Sequence, residues 1–123
     1  VLKCQNASGK HWLNMSIGKS GFWLSARVNS LKHRLSADFH LRTPQSKSIY
    51  QAFEADKESI ETEFGGRLDW FELPDNKDSY ISVSLENADF RRKQDWQRQF
   101  EWLAVNLEQL DKVFRKRIKA LRM

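Results

Sequence analysis

The chain has 123 residues, of which 40% are hydrophobic and 30% are charged. This length and balance predict one folded domain, residues 1–123, rather than a disordered chain. The formal net charge of +5 is too small to choose between nucleic acid and an acidic protein as partner. The single cysteine, Cys4, excludes an internal disulfide and a cysteine-based metal site. No apolar run approaches the roughly 20 residues of a membrane span, so we expect a cytoplasmic protein without a membrane partner.

The first third of the chain predicts three strands in a meander. Residues 1–9, which end in Asn6-Ala7-Ser8-Gly9, are interpreted as a loose lead-in. Apolar and polar residues then alternate, which is typical of half-buried strands. The three strands are expected at His11 to Ile17, Phe22 to Val28 and about Leu31 to Arg42. Glycines in the turn Gly18-Lys19-Ser20-Gly21 permit the positive φ angles that a hairpin needs.

The middle of the chain predicts a helix followed by two strands. Thr43 is a suitable N-cap and Pro44 suits the first helical turn. One apolar stripe runs to Phe64 and Gly65-Gly66 ends the helix; the stripe consists of Ile49, Ala52, Phe53, Ile60 and Phe64. Strands are expected at Leu68 to Leu73 and Tyr80 to Leu85, with a proline turn between them.

The last third predicts one long helix from about Arg92 to Leu121. Its stripe is broader than a two-position coiled-coil seam and includes Trp96, Phe100, Leu103, Leu107, Leu110 and Phe114. A helix of roughly 42 Å, at 1.5 Å per residue, exceeds what a small sheet can cover. Two interpretations stay open: the helix lies across the sheet, or part of it also projects and pairs with another chain.

The order of elements is therefore β-β-β-α-β-β-α. Hairpin-length connections favour an α+β fold with an antiparallel sheet of about five strands. Both helices are expected on one face of that sheet.

Nothing in the sequence indicates catalysis or a cofactor. His11, His33 and His40 have no spacing typical of metal ligands. The Gly18-Lys19-Ser20 triplet lacks the upstream glycine and the following helix of a phosphate-binding loop. Asp69 and Glu72 are not followed by the lysine of a metal-dependent nuclease site. We therefore predict no catalytic residues, no metal and no cofactor, and an enzyme is the least favoured of three hypotheses.

The outward face of the sheet is the candidate site. The residues expected there are Trp23, Arg27, Arg34, Arg42, Trp70 and Tyr80. Exposed aromatics among arginines suit single-stranded nucleic acid, because bases stack while guanidinium groups meet phosphates. The same residue types dominate protein-interface hot spots. A third interpretation is that a helix covers this face and the tryptophans are core residues.

A second basic cluster lies at the end of the last helix, at Arg115, Arg117 and Arg122, with Lys116 and Lys119 between them. Cations near a helix C-terminus are favoured by the helix dipole. There are more basic residues here than the helix dipole accounts for. This helix end is therefore a second candidate contact for a partner or for phosphate.

Several segments resemble a bacterial and archaeal domain-of-unknown-function family, number 4268. They are Phe22-Trp23-Leu24 after the glycine turn, the helix Ala52 to Glu61, the strand Leu68-Asp69-Trp70, and the ending Trp102-Leu103 with Val113 to Ile118. The resemblance covers nearly the whole chain. It implies a C-terminal module behind a restriction-endonuclease-like nuclease domain, in a protein that handles DNA or acts in defence. It supplies no catalytic residues.

Our first hypothesis is a non-catalytic binding module that contacts protein, including a second copy of itself, through the long helix and the exposed aromatics. The alternative is a nucleic-acid-binding domain that uses the arginines and tryptophans of the sheet face.

Overall fold

A computed structural model describes residues 10–121, and the side chains of residues 14–121. The predicted lead-in at 1–9 and the candidate residue Arg122 lie outside the described residues. Five strands form one antiparallel sheet in the order β1-β2-β3-β5-β4. They are β1 Lys10–Ser16, β2 Phe22–Asn29, β3 Arg34–Leu41, β4 Asp69–Phe71 and β5 Ser79–Leu85.

Three helices accompany the sheet: α1 Ser46–Ala55, α2 Lys57–Phe64 and α3 Trp96–Lys119. A short 3-10 turn, Lys93–Asp95, leads into α3. The structure confirms the α+β class, the antiparallel five-stranded sheet, the order of elements and the long C-terminal helix. The predicted glycine turn between β1 and β2 is present, with Gly18 and Gly21 at φ of +93° and +89°.

The helix expected as a single unit between Thr43 and Gly65 is divided in two at Asp56. The backbone N–H of Asp56 bonds to the carbonyl of Phe53 at 3.0 Å, three residues back, and α2 restarts with Ile60 bonding to Asp56. This bend lets both halves bury their apolar residues, so Phe53 and Ile60 are both in the core whereas Ala52 is exposed.

The core lies between the sheet and the helices, and its centre is aromatic. Phe39 on β3 stacks on Phe114 of α3, with ring centroids 4.2 Å apart and planes 5° from parallel. Phe22 of β2 and Phe53 of α1 pack against the same ring. Because strand residues alternate between faces, the neighbours of Phe39 on β3, Asp38 and His40, are directed to the opposite side of the sheet.

Helix α3 lies along the sheet over most of its length. Its buried residues run from Gln99 to Ile118, and it packs on β2 and β3. The length of the helix therefore gives no ground for a projecting end. None of the helices in the described part of the chain has the length and hydropathy that crossing a bilayer requires.

Lys47 fixes α1 to the turn between β4 and β5. Its ammonium group donates to the backbone carbonyls of Glu72, of Leu73 at 2.7 Å and of Asp78 at 2.8 Å. Leu73 has the left-handed φ of 52°, which is unfavourable for a branched side chain. The lysine thus ties helix α1 to a strained turn.

Candidate binding face on the open side of the sheet

Four aromatic rings form a continuous row across the sheet face opposite the helices. The strand register places Trp23 of β2 beside His40 of β3, His40 beside Tyr80 of β5, and Tyr80 beside Phe71 of β4. The successive ring centroids are 5.0, 5.4 and 4.6 Å apart, and neighbouring rings lie within 23° of parallel. We call these four residues the aromatic ladder.

The rings of the ladder stack on one another, which determines what they can offer a partner. Aromatic rings this close and this nearly parallel overlap face to face with an offset. The faces of His40 and Tyr80 are therefore occupied by their neighbours, and the ladder presents ring edges. Phe71 at the end of the row is 38% exposed, whereas the side chain of His40 is only 17% exposed.

Beside the ladder, a buried carboxylate organises the polar residues of the same face. Asp38 of β3 is fully buried and accepts hydrogen bonds on both oxygens. Its Oδ2 accepts from Arg27 Nε at 2.6 Å and from Ser25 Oγ at 3.2 Å. Its Oδ1 accepts from Ser82 Oγ at 2.5 Å and from a second nitrogen of Arg27 at 3.2 Å. The carboxylate is thus paired and hydrogen-bonded, as a buried charge must be.

The surroundings of Asp38 keep it ionised. Burial alone would raise the pKa of its carboxyl group, but interactions with His40, Arg27 and Ser82 outweigh burial and hold that pKa below its usual value. The guanidinium group of Arg27, in turn, lies 5.3 Å from the centre of the Tyr80 ring. Arg27 therefore joins the Asp38 network to the aromatic ladder, since it is bonded to one and packed on the other.

Ser25, His40 and Asp38 are close together, but their geometry is not that of a nucleophilic triad. Nε2 of His40 lies 2.9 Å from Ser25 Oγ and 3.8 Å from Asp38 Oδ2. In a triad the serine and the carboxylate bind different nitrogens of the imidazole, whereas here both face the same nitrogen. Ser25 is also 2% exposed, so a substrate cannot reach it. The arrangement is suited to keeping the side chains of this sheet face in fixed positions.

Of the residues predicted for this face, Trp23, Arg27 and Tyr80 lie together on it as expected. The prediction for Trp70 is wrong. Trp70 pairs with Ile81 and packs on the helix side, where its ring meets Tyr50 edge-on and its Nε1 donates to Glu61 at 3.1 Å. Phe71 takes the outward position instead. Because two aromatic residues are adjacent in a strand of three, alternation alone could not tell which of them faces outward.

The other two predicted arginines, Arg34 and Arg42, lie at the two ends of β3 and are each paired with a carboxylate. Arg34 lies 2.8 Å from Glu86, and Arg42 lies 3.1 Å from Asp78. With Arg27 bonded to Asp38, every arginine predicted for the sheet face has an acidic partner within the domain.

The candidate cluster at the end of α3 is likewise largely neutralised. Arg115 pairs with Asp111 at 2.8 Å, and Arg117 lies 2.6 Å from Glu63 of α2. Lys116 also bonds to Glu63, and these contacts hold the pKa of that carboxyl below its usual value. Lys116 and Arg117 therefore fasten α3 to α2, whereas Arg115 is paired within α3.

Sequence reasoning missed His40, Asp38 and Phe71 as members of the site. Alternation already placed Asp38 and His40 on the outward side of the third strand. The missing information was the strand register, which sets His40 between Trp23 and Tyr80. No group of three His, Cys, Asp or Glu side chains within the described residues is arranged to hold a metal ion.

Comparison with known proteins gives a family and no further relative. No curated protein and no solved structure shows significant similarity to the chain. The family model described as "Domain of unknown function (DUF4268)" matches residues 1–118, so the chain belongs to the DUF4268 family.

Proposed function

We propose that this domain is a non-catalytic protein-interaction module and that the aromatic ladder, with Arg27, forms its contact surface. The observation that carries the proposal is the row of stacked rings on a sheet face that no described helix covers. Aromatic and arginine side chains dominate the binding energy of protein interfaces. The buried network around Asp38 holds these side chains in one arrangement, which reduces the entropy lost on binding.

The geometry favours protein over nucleic acid as the partner of this face. Base stacking needs free ring faces, whereas the inner rings of the ladder already stack on their neighbours. Phosphate binding needs available cations, whereas Arg27, Arg34 and Arg42 each have a carboxylate partner. Exposed ion pairs are worth little and can exchange, so nucleic acid stays the alternative, tested by whether DNA or RNA binds at low salt.

A second copy of the domain is the partner that the charges of this face fit. Two-fold symmetric association brings a surface against itself, so a strongly charged patch would repel its copy. On the ladder face each predicted arginine has its own carboxylate partner, so this aromatic surface has no excess of positive charge. Two antiparallel sheets can also pack face to face with their side chains interleaved. The resemblance noted above adds the proposal that this contact operates in a protein that handles DNA.

Sedimentation measured from micromolar to submillimolar concentrations tests the proposal. We expect reversible dimerisation in the unaltered domain, and a shift to monomer in Phe71→Ser and in Trp23→Ser. Phe100→Ser is the matched control, since Phe100 is exposed on α3, away from the ladder, and this variant should dimerise normally. A domain that stays monomeric throughout this range, or a control variant that also loses dimerisation, would contradict the proposed contact.

A further inference from the structure

A second group of aromatic residues, partly exposed, lies where the chain enters α3. Phe90 stacks on Trp96 with centroids 5.4 Å apart, and Phe100 meets both rings at 6.0 and 5.8 Å. We call these three residues the aromatic corner. Phe100 is 47% exposed although it contacts two aromatic neighbours. Phe90 and Trp96 therefore pack together, while part of the apolar Phe100 ring stays exposed.

Hydrogen bonds fix the corner before any partner arrives. Trp96 Nε1 donates to the carbonyl of Phe90 at 2.6 Å. The buried side chain of Gln99 donates to the carbonyl of Asp89 at 3.0 Å and to Asp95 at 2.9 Å. Arg98 bonds to Asp95 at 2.7 Å and to the carbonyl of Asn87 at 3.0 Å. These contacts tie the preceding loop to the first turn of the helix.

The corner carries several basic side chains, and two of them have no ion-pair partner. Residues 89–101 contain four basic side chains and three acidic ones. Arg91 and Arg98 are paired with Asp89 and Asp95. Arg92 and Lys93 form no ion pair with any described carboxylate, and Lys93 Nζ lies 6.0 Å from the ring of Trp96. Unlike the ladder face, this surface therefore has two cations without an ion pair beside a partly exposed apolar cluster.

We infer that the aromatic corner is a docking site for an acidic segment of a partner protein that carries an apolar side chain. Arg92 and Lys93 would meet the carboxylates, while the apolar side chain would cover Phe100. Charge complementarity selects this partner, because the unpaired cations would repel a second copy of the same surface. The site lies apart from the ladder face and goes beyond the function proposed for it.

The arrangement of the rings argues against single-stranded nucleic acid at this site. Phe90 and Trp96 already stack on each other, and Lys93 lies over Trp96, so the corner offers few ring faces to bases. A tight contact with a phosphate backbone also needs more free cations than the two found here.

Fluorescence anisotropy with short labelled probes tests the inference. The first probe is a peptide in which Asp and Glu alternate with Leu and Phe, and the second has Ser in place of Leu and Phe. The third is an oligothymidine of matched charge. We expect saturable binding of the first probe only. Phe100→Ser and Lys93→Glu should each weaken it at least about fivefold.

Arg67→Glu provides the matched control, because Arg67 is an exposed cation without an ion pair among the described side chains. This variant should bind the first peptide as the unaltered domain does, and unfolding curves establish that each variant is folded. Equal binding of the serine peptide would overturn the apolar part of the inference. Tighter binding of oligothymidine, equal loss in the control, or no saturable binding of the first peptide would overturn the inference as a whole.

Discussion

At the scale of single residues, Asp38 links three strands of the sheet through its side chain. It is a fully buried carboxylate that joins β2, β3 and β5 through Ser25, Arg27 and Ser82. Asp38→Asn would remove the charge that pairs with Arg27 and would disturb every one of these bonds. We expect a loss of about 2–3 kcal/mol in the free energy of unfolding, because Arg27 can still reach water. Urea unfolding at neutral pH measures it, and a loss well below 1 kcal/mol would show that the network contributes little.

The lowered pKa of Asp38 predicts how the stability of the domain depends on pH. The pKa of Asp38 is lowered in the folded state, so its contribution is complete above the unfolded value of about 4. The contribution decreases as pH falls from there through the lowered folded pKa. The stability gap between the unaltered domain and Asp38→Asn should therefore be constant near neutral pH and narrow below about pH 4. A gap that stays unchanged in acid would contradict the ion pair.

Lys47 is the residue that holds the strained turn after β4. Lys47→Met keeps the aliphatic part of the side chain but leaves three backbone carbonyls without their donor. We expect a destabilisation of about 1–3 kcal/mol, measured by thermal or urea unfolding. Lys112→Met, on the exposed side of α3, is the control and should have almost no effect. Equal effects of both substitutions would rule out a specific role for Lys47.

Individual residues show which side-chain orientations the sequence pattern predicts and which it does not. Alternation correctly set Trp23, Arg27 and Tyr80 on one face, because each lies in a long strand with a clear period of two. It failed at Trp70 and Phe71, because a strand of three residues is too short to show an alternating pattern. Lys47 gave no sequence signal either, since its partners are backbone carbonyls more than 20 positions away.

At the scale of elements, substitutions on the two faces of α3 are expected to differ in their effect on stability. Phe114 is fully buried against Phe39 and Phe53, whereas Phe100 is about half exposed. Phe114→Ala should cost about 3–5 kcal/mol, because it removes a core ring and leaves a cavity. Phe100→Ala should cost less than about 1 kcal/mol. Urea unfolding of the two variants compares them directly, and similar losses would mean that α3 does not pack as described.

The strands and their order along the chain follow from the alternation of apolar and polar residues and from the turns marked by glycine and proline. The break between α1 and α2 does not, because Ile49, Phe53, Ile60 and Phe64 keep helical spacing across Asp56. That break comes where the segment passes from packing on β5, which α1 contacts, to packing on α3, which α2 contacts. This change of partner is a property of the packed fold. Sequence spacing alone therefore predicts one helix where there are two.

At the scale of the whole molecule, the sheet is covered by helices on one side. The aliphatic side packs under three helices, and the described residues place no helix over the other side. The pattern of the sequence could predict this asymmetry, since apolar residues alternate with polar and aromatic ones. It could not predict that the outward rings would stack into a ladder, because that depends on strand register and on pairs of residues distant in the chain.

The most direct measurement is an isotope-filtered NMR experiment on a mixture of labelled and unlabelled domain at high concentration. This experiment detects only contacts between separate copies. We predict intermolecular contacts from the ring protons of Phe71 and Trp23 to the ladder of the second copy. Contacts that arise only from α3, or the absence of any intermolecular contact at concentrations where sedimentation detects dimers, would contradict the ladder face as the interaction surface.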